Sequence, residues 1–114
     1  MLLNIIRMAY TDPCRVISPR SRWTLIDVLD DGGGEGGASV SVGRWKQNDG
    51  TEHPELAMRW NGDENNVLGN PQSRGLPTWF IVPMRFRAAI RRTLETDPRF
   101  PDDKKALLRN FFPE

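Results

Sequence analysis

The chain has 114 residues, a formal net charge of +1, an apolar fraction of 38% and one cysteine. This length supports one hydrophobic core rather than two, so we expect a single domain over residues 1–114. The composition excludes a disordered chain, which would be less apolar or more highly charged. Because Cys14 has no second cysteine to pair with, an intramolecular disulfide is excluded, and a cytoplasmic protein is favoured.

The first segment, residues 1–8, is apolar except for Asn4 and Arg7. It is too short to cross a membrane, and no basic region precedes its apolar part as in a secretory signal. We therefore expect no contact with a membrane, and we expect this N-terminal extension to dock on the core as a strand or short helix. Its apolar side chains are Leu2, Leu3, Ile5, Ile6 and Met8.

Two runs of alternating polarity, residues 22–29 and 38–46, predict the first two strands. The segment 30–37 between them is rich in glycine and can bury little, which is typical of a flexible hairpin tip. Gly43 interrupts the second run and predicts a bulge or bend, which would turn Trp45 inward or its basic neighbours outward.

Two further strands are predicted downstream. An Asp-Gly pair within residues 47–54 predicts a turn. The alternating polarity of residues 55–62 predicts a third strand. Residues 63–77 contain too many glycines and prolines for a regular element and predict a long loop, of the kind that often carries function. The short apolar run 78–82 predicts a fourth strand that is covered on both faces.

Pro83 suits the first turn of a helix, which we predict over residues 84–95. A second, C-terminal helix is predicted within residues 98–113, with Asp102 or Asp103 as its cap. Four apolar residues of the first helix follow the i, i+3, i+4, i+8 spacing of one buried face. This face comprises Phe86, Ala89, Ile90 and Leu94, with Arg85, Arg91 and Arg92 pointing away from it and Arg87 on its flank.

The predicted fold class is therefore α+β, with an antiparallel four-stranded sheet followed by a helix (ββββα) in a core over residues 22–95. This order resembles the single-stranded-DNA-binding transcriptional coactivators of the positive-cofactor-four type, over about residues 39–94. The sequence AMRW at 57–60 is similar to the family's Asp-Ile-Arg-x-aromatic pattern, without its aspartate. The pair RG at 74–75 is similar to the basic residue and glycine that lead into the family's last strand.

The resemblance implies a sheet that binds single-stranded nucleic acid and a helix that pairs with its mate in a homodimer. Cations would bind phosphates, and rings would stack on bases at about 1–3 kcal/mol per base. Because neighbours on a strand point to opposite faces, a tryptophan shares a surface with the adjacent cation only where the strand is bulged. The predicted nucleic-acid-binding residues are Arg44, Trp45, Lys46, Arg59, Trp60 and Arg74.

A second hypothesis is a protein- or small-ligand-binding accessory module, of the kind found in mobile elements and phages, with no affinity for nucleic acid. In residues 23–82 acidic side chains outnumber basic ones by nine to four, which opposes phosphate binding. The four tryptophans are typical both of a small core and of a surface that binds partners. Their location therefore decides between the two hypotheses.

The sequence contains no convincing catalytic motif, so we expect a non-enzymatic protein without cofactor or metal. His53 is the only histidine, and it has neither the spacing of zinc ligands nor the partners of a catalytic triad. The glycine-rich segment 30–37 carries acids and no lysine, so it is not a phosphate-binding loop.

Overall fold

The computed structural model describes residues 9–113, so the predicted docking of residues 1–8 lies outside the described residues. The elements are β1 (Trp23–Asp30), β2 (Ala38–Lys46), β3 (Glu52–Trp60), β4 (Gln72–Ser73), β5 (Leu76–Pro77), β6 (Phe80–Ile81), α1 (Met84–Glu95) and α2 (Asp102–Phe111). The sheet has four antiparallel strands in the order β1-β2-β3-β6, and β4 and β5 form a separate hairpin. The predicted α+β fold, a four-stranded antiparallel sheet followed by a helix, is confirmed.

Both helices pack on one face of the sheet, which we call the helix face. Val40 and Val42 of β2 and Leu56 of β3 meet Leu94 of α1 and Leu108 of α2 in one buried cluster. Each such side chain contributes about 1.5–3 kcal/mol when it leaves water. This cluster fixes both helices on the sheet. Within residues 9–113, neither helix is long and apolar enough to cross a membrane.

The chain before β1 covers the opposite face of the sheet, which we call the N-terminal face. Val16, only 1% exposed, packs there with Trp23 and Trp79 in a second buried cluster. The indole nitrogen of Trp79 donates a hydrogen bond of 2.6 Å to the carbonyl oxygen of Val16. The predicted cover on both faces of the fourth strand therefore holds for Trp79 and Val82, but Phe80 is 56% exposed.

The bulge predicted at Gly43 occurs beside Gly43 in the β1–β2 ladder, but its extra residue belongs to β1 rather than β2. β2 pairs with β3 through Gly43 without interruption, and the extra residues lie in the neighbouring strand β1, at Ile26 and Leu29. Gly43 is required instead by the close approach of Trp23. A Cβ atom on Gly43 would lie 2.5 Å from that indole and 2.3 Å from the carbonyl oxygen of Thr24, closer than side chains can approach.

The bounds of two predicted segments change. β3 begins at Glu52 and includes Pro54, which was predicted to end a turn. The backbone of Leu56 forms its hydrogen bond on the side of β3 that faces β6. The backbone of Pro54, two residues earlier, faces the same side, but β6 has only two residues and does not extend that far. The missing N–H of Pro54 therefore costs no hydrogen bond to β6, and proline is tolerated there. The loop 63–77 is partly regular, because β4 and β5 are joined by a two-residue turn in which Arg74 has φ 54°.

α1 has the predicted bounds, and Ile90 and Leu94 face inward as predicted, but the other half of the predicted inward face is wrong. Phe86 is 45% exposed and Ala89 is also exposed, whereas Arg87 and Arg91 are half-buried beside Ile90. The helix is therefore rotated so that two arginines, rather than Phe86, turn toward the body of the protein.

The two arginines are tolerated at this position because their charged groups have partners. Arg87 donates to Glu55 at 3.2 Å, and its guanidinium lies 4.3 Å from the centroid of the Phe112 ring. Arg91 donates to the carbonyl oxygen of Phe112 at 2.6 Å. These contacts join α1 to the residue that ends α2.

The C-terminal helix is present but shorter than the predicted segment 98–113. Its N-cap is Pro101, which provides no side-chain hydrogen bond. Asp102 and Asp103 lie in the first turn rather than at the cap, where their charges are favourable to the helix dipole. Lys104 donates to Asp27 of β1 at 2.6 Å and so fixes this end of α2 on the sheet.

We expect Gly43→Ala to lower the free energy of unfolding by about 2 kcal/mol or more, because the new methyl group overlaps the Trp23 ring. Urea denaturation followed by circular dichroism measures this loss. Ser41→Ala on the same strand is the control. Its hydroxyl is buried without a hydrogen-bond partner among the described residues, so its removal should be neutral or stabilising. A Gly43→Ala chain as stable as the original would contradict this packing.

Candidate functional site

The structure separates the six residues predicted to bind nucleic acid. Arg44 and Lys46 lie on the helix face near the end of β2, whereas Trp45 is half-buried on the N-terminal face. Trp60 pairs with Ala38 at the other end of β2. Its distance from Arg44 along the strand is therefore about 20 Å. Arg44 and Lys46 therefore lie far from the Trp60 ring and on the opposite face from Trp45.

The exposed cations among the six have different surroundings. The guanidinium of Arg44 lies 4.9 Å from the centroid of the Phe111 ring at the end of α2. The carbonyl oxygen of Lys46 accepts a hydrogen bond from Arg22 at 3.2 Å. Arg22, Arg44 and Lys46 therefore share one end of the sheet. Arg74 is exposed at the turn between β4 and β5.

Arg59 is a buried structural residue, with 3% exposure. Its guanidinium donates to the carbonyl oxygen of Thr78 at 2.6 Å, to that of Pro71 at 3.4 Å, and to that of Leu68. Burial lowers the pKa of the Arg59 guanidinium, because desolvation penalises the charged form. Arg59 is therefore not at the surface, where the sequence predicts that it binds phosphate, because its guanidinium is enclosed by the loop that follows β3.

Asn61 is a second buried polar residue, which the sequence analysis missed. It is fully buried, and its Oδ1 accepts a hydrogen bond of 2.9 Å from the Ser39 hydroxyl. Its Nδ2 donates to the carbonyl oxygens of Asp31 and Gly34 at 2.7 and 2.8 Å. The hairpin tip predicted to be flexible is therefore bonded to the end of β3. The sequence signal for this contact is the Asn-Gly pair at 61–62, which from the sequence alone predicts the end of a strand.

Trp60 lies between these two buried residues and points the opposite way. Because side chains alternate along a strand, the burial of Arg59 and Asn61 on the N-terminal face places Trp60 on the helix face. The helices do not cover it there, and 58% of Trp60 is exposed. The indole is therefore held at the surface by its two neighbours.

An apolar groove of about 340 Å³ lies at this end of the helix face. Ala38 and Met58 line it together with Trp60, Phe80 and Pro71. Met58 and Phe80 are directly paired across β3 and β6, and Phe80 is 56% exposed. Two large aromatic rings, each more than half exposed, thus border one apolar groove.

No group of histidine, cysteine or acidic side chains in residues 9–113 is arranged to hold a metal ion. His53 is exposed in β3 and pairs with Trp45 across the strands. Cys14 is exposed, and partial burial together with the charge of Asp12 raises the pKa of its thiol. A raised pKa disfavours the thiolate form that a nucleophile requires.

Comparisons with known proteins found no matching family model, no matching curated protein and no matching solved structure. The resemblance to coactivators of the positive-cofactor-four type therefore rests on the sequence motifs alone.

We expect Arg59→Ala to lower the free energy of unfolding by about 3 kcal/mol or more, because three loop carbonyls lose their donor inside the protein. Lys46→Ala removes an exposed cation and should change the free energy of unfolding by no more than about 0.5 kcal/mol. Urea denaturation of both variants measures the difference. Equal, small effects would show that Arg59 acts as an ordinary surface cation.

Proposed function

We propose that this protein is a non-enzymatic accessory module that binds an apolar segment of a partner protein in the groove between Trp60 and Phe80. The observation that carries this proposal is the pair of rings, 58% and 56% exposed, on one apolar groove. Large exposed apolar surfaces mark interaction sites, and tryptophan is enriched among the residues that dominate binding.

The energy available at the groove suits a specific but modest interaction. An aromatic side chain buries about 150–250 Å² when fully covered, so the exposed halves of both rings offer on the order of 200 Å². Covering that area contributes about 5 kcal/mol before the costs of association. A ligand that makes few other contacts would therefore bind weakly and reversibly.

The lining of the groove favours an uncharged aliphatic or aromatic ligand. Arg59 is the one charged residue in the lining, and its guanidinium already donates to three carbonyl groups on the N-terminal face. Asn70, an exposed residue at the rim, is the remaining polar residue. We infer that the partner contributes apolar side chains rather than phosphate or carboxylate groups.

The separation of rings from cations favours this proposal over binding of single-stranded nucleic acid. Trp60 is about 20 Å along the strand from Arg44, and its neighbour Arg59 is buried, so neither cation lies beside the exposed ring. The homodimer implied by the resemblance is compatible with the groove, since a second copy is one kind of protein partner. A cytoplasmic location, which the lone Cys14 favours, is part of the proposal.

The test is selection of short peptides from a random library on the immobilised full chain, followed by measurement of each Kd in solution. We expect peptides rich in aliphatic and aromatic residues. Trp60→Ser and Phe80→Ser should each weaken their binding tenfold or more, equivalent to about 1.4 kcal/mol. Leu76→Ser is the matched control, because Leu76 is equally exposed, at 57%, but does not line the groove.

Peptides that bind the Trp60→Ser chain as tightly as the original would contradict the proposal. A labelled oligothymidine serves as the competing ligand. Salt-dependent binding of this strand that is lost in Arg44→Ala and Lys46→Ala, without any selected peptide, would favour the nucleic-acid hypothesis instead.

A further inference from the structure

We propose that the outer edge of β1 pairs with β1 of a second copy of this chain, antiparallel about a two-fold axis near Ile26. The sheet order β1-β2-β3-β6 leaves β1 with a neighbouring strand on one side only. This contact does not depend on the groove between Trp60 and Phe80, which lies beside β3 and β6 at the other edge of the sheet.

The outer edge of β1 is open. The backbone N–H of Trp23 donates to the carbonyl oxygen of Pro19 at 2.7 Å. Among residues 9–113, no other backbone N–H of β1 donates a hydrogen bond outside the pairing with β2. The strand borders a groove of about 460 Å³, whose lining includes residues 23–28 of β1. An unpaired edge of this kind is a template for a further strand.

Most of the devices that protect an edge strand from pairing are missing from β1. The strand contains neither proline nor lysine, and its central charge, Asp27, is bound by Lys104 of α2 at 2.6 Å. The bulges at Ile26 and Leu29 increase the twist of the strand, so we expect a short ladder rather than one over all eight residues. Ile26 and Ile17, which are 42% and 47% exposed, line the groove beside this edge and give the contact an apolar centre.

The two ends of this edge carry opposite charges. Arg20 is exposed beside the Trp23 end, and its side chain has no hydrogen bond or ion pair with any residue that the structure describes. Asp31 is exposed directly after the other end, and its carboxylate accepts the backbone N–H of Gly33 at 2.9 Å without an ion pair in residues 9–113.

These charges select both the occupant and its direction. In an antiparallel pair centred near Ile26, Arg20 of each copy lies close to Asp31 of the other, whereas a parallel pair would bring like charges together. The edge is therefore complementary to itself, which is the requirement of a two-fold contact between identical chains.

A contact at β1 has a consequence for the groove at the other edge. Each copy keeps its groove between Trp60 and Phe80 open, so the dimer is bivalent. A partner with two apolar segments would then bind the dimer more tightly than one copy, because the second contact becomes intramolecular.

Sedimentation equilibrium of the full chain at low salt tests the inference. We expect a reversible dimer whose Kd rises about tenfold or more in Arg20→Glu and in Asp31→Arg, because each change places like charges together. The double variant Arg20→Glu/Asp31→Arg restores opposite charges and should return the Kd to within about threefold of the original. Arg92→Glu is the matched control, since it makes the same charge change at an exposed position of α1.

A disulfide tests the position of the axis. In a Cys14→Ser background, Ile26→Cys should form a disulfide-linked dimer under mild oxidation, and Arg92→Cys should not. A chain that stays monomeric at low salt up to its solubility limit would overturn the inference. So would a dimer that neither single variant weakens, or one that the double variant does not restore.

Discussion

The burial of Arg59 and Asn61 at the end of β3 is the constraint on which the rest of this structure depends. A buried polar group is tolerated when it is hydrogen-bonded, and a buried charge requires several such bonds. Arg59 meets this requirement through carbonyl groups of the loop after β3, and Asn61 through those of the hairpin tip. The loop after β3 and the hairpin tip, which have little apolar content of their own, are thereby folded onto the N-terminal face. The same requirement places Trp60, the residue between them, on the opposite face.

The position of α1 has a related cause. Arg87 and Arg91 interact with Phe112 at the end of α2, so the helix turns these residues toward its neighbour and leaves Phe86 at the surface. A helix buried through Phe86 would present a different flank to the sheet. The observed rotation places the arginines on the flank that faces α2.

The sequence predicted those parts of the fold that local patterns determine. Alternation defined β1 and β2, and prolines on either side of α1 gave its bounds, because strand and helix periods are visible within a few residues. The site required information that is not local. Arg59 has the sequence neighbours of a surface cation, and only the loop carbonyls contributed by residues 68–78 make its burial favourable. Gly43 likewise has the sequence pattern of a bulge, whereas in the structure the Trp23 ring of the neighbouring strand leaves no room for a side chain there.

These contacts change what the charges of the chain imply about function. The sequence predicts that Arg59 binds phosphate and that most of the four arginines of α1 point away from the body of the protein. Three of them, Arg59, Arg87 and Arg91, donate to carbonyl or carboxylate groups of the same chain, so their charge contributes little to an external field. The aromatic residues are distributed in the opposite way, because Trp60 and Phe80 are each more than half exposed. Large exposed apolar surfaces mark interaction sites, so the proposed partner site rests on the groove between these two rings rather than on the arginines.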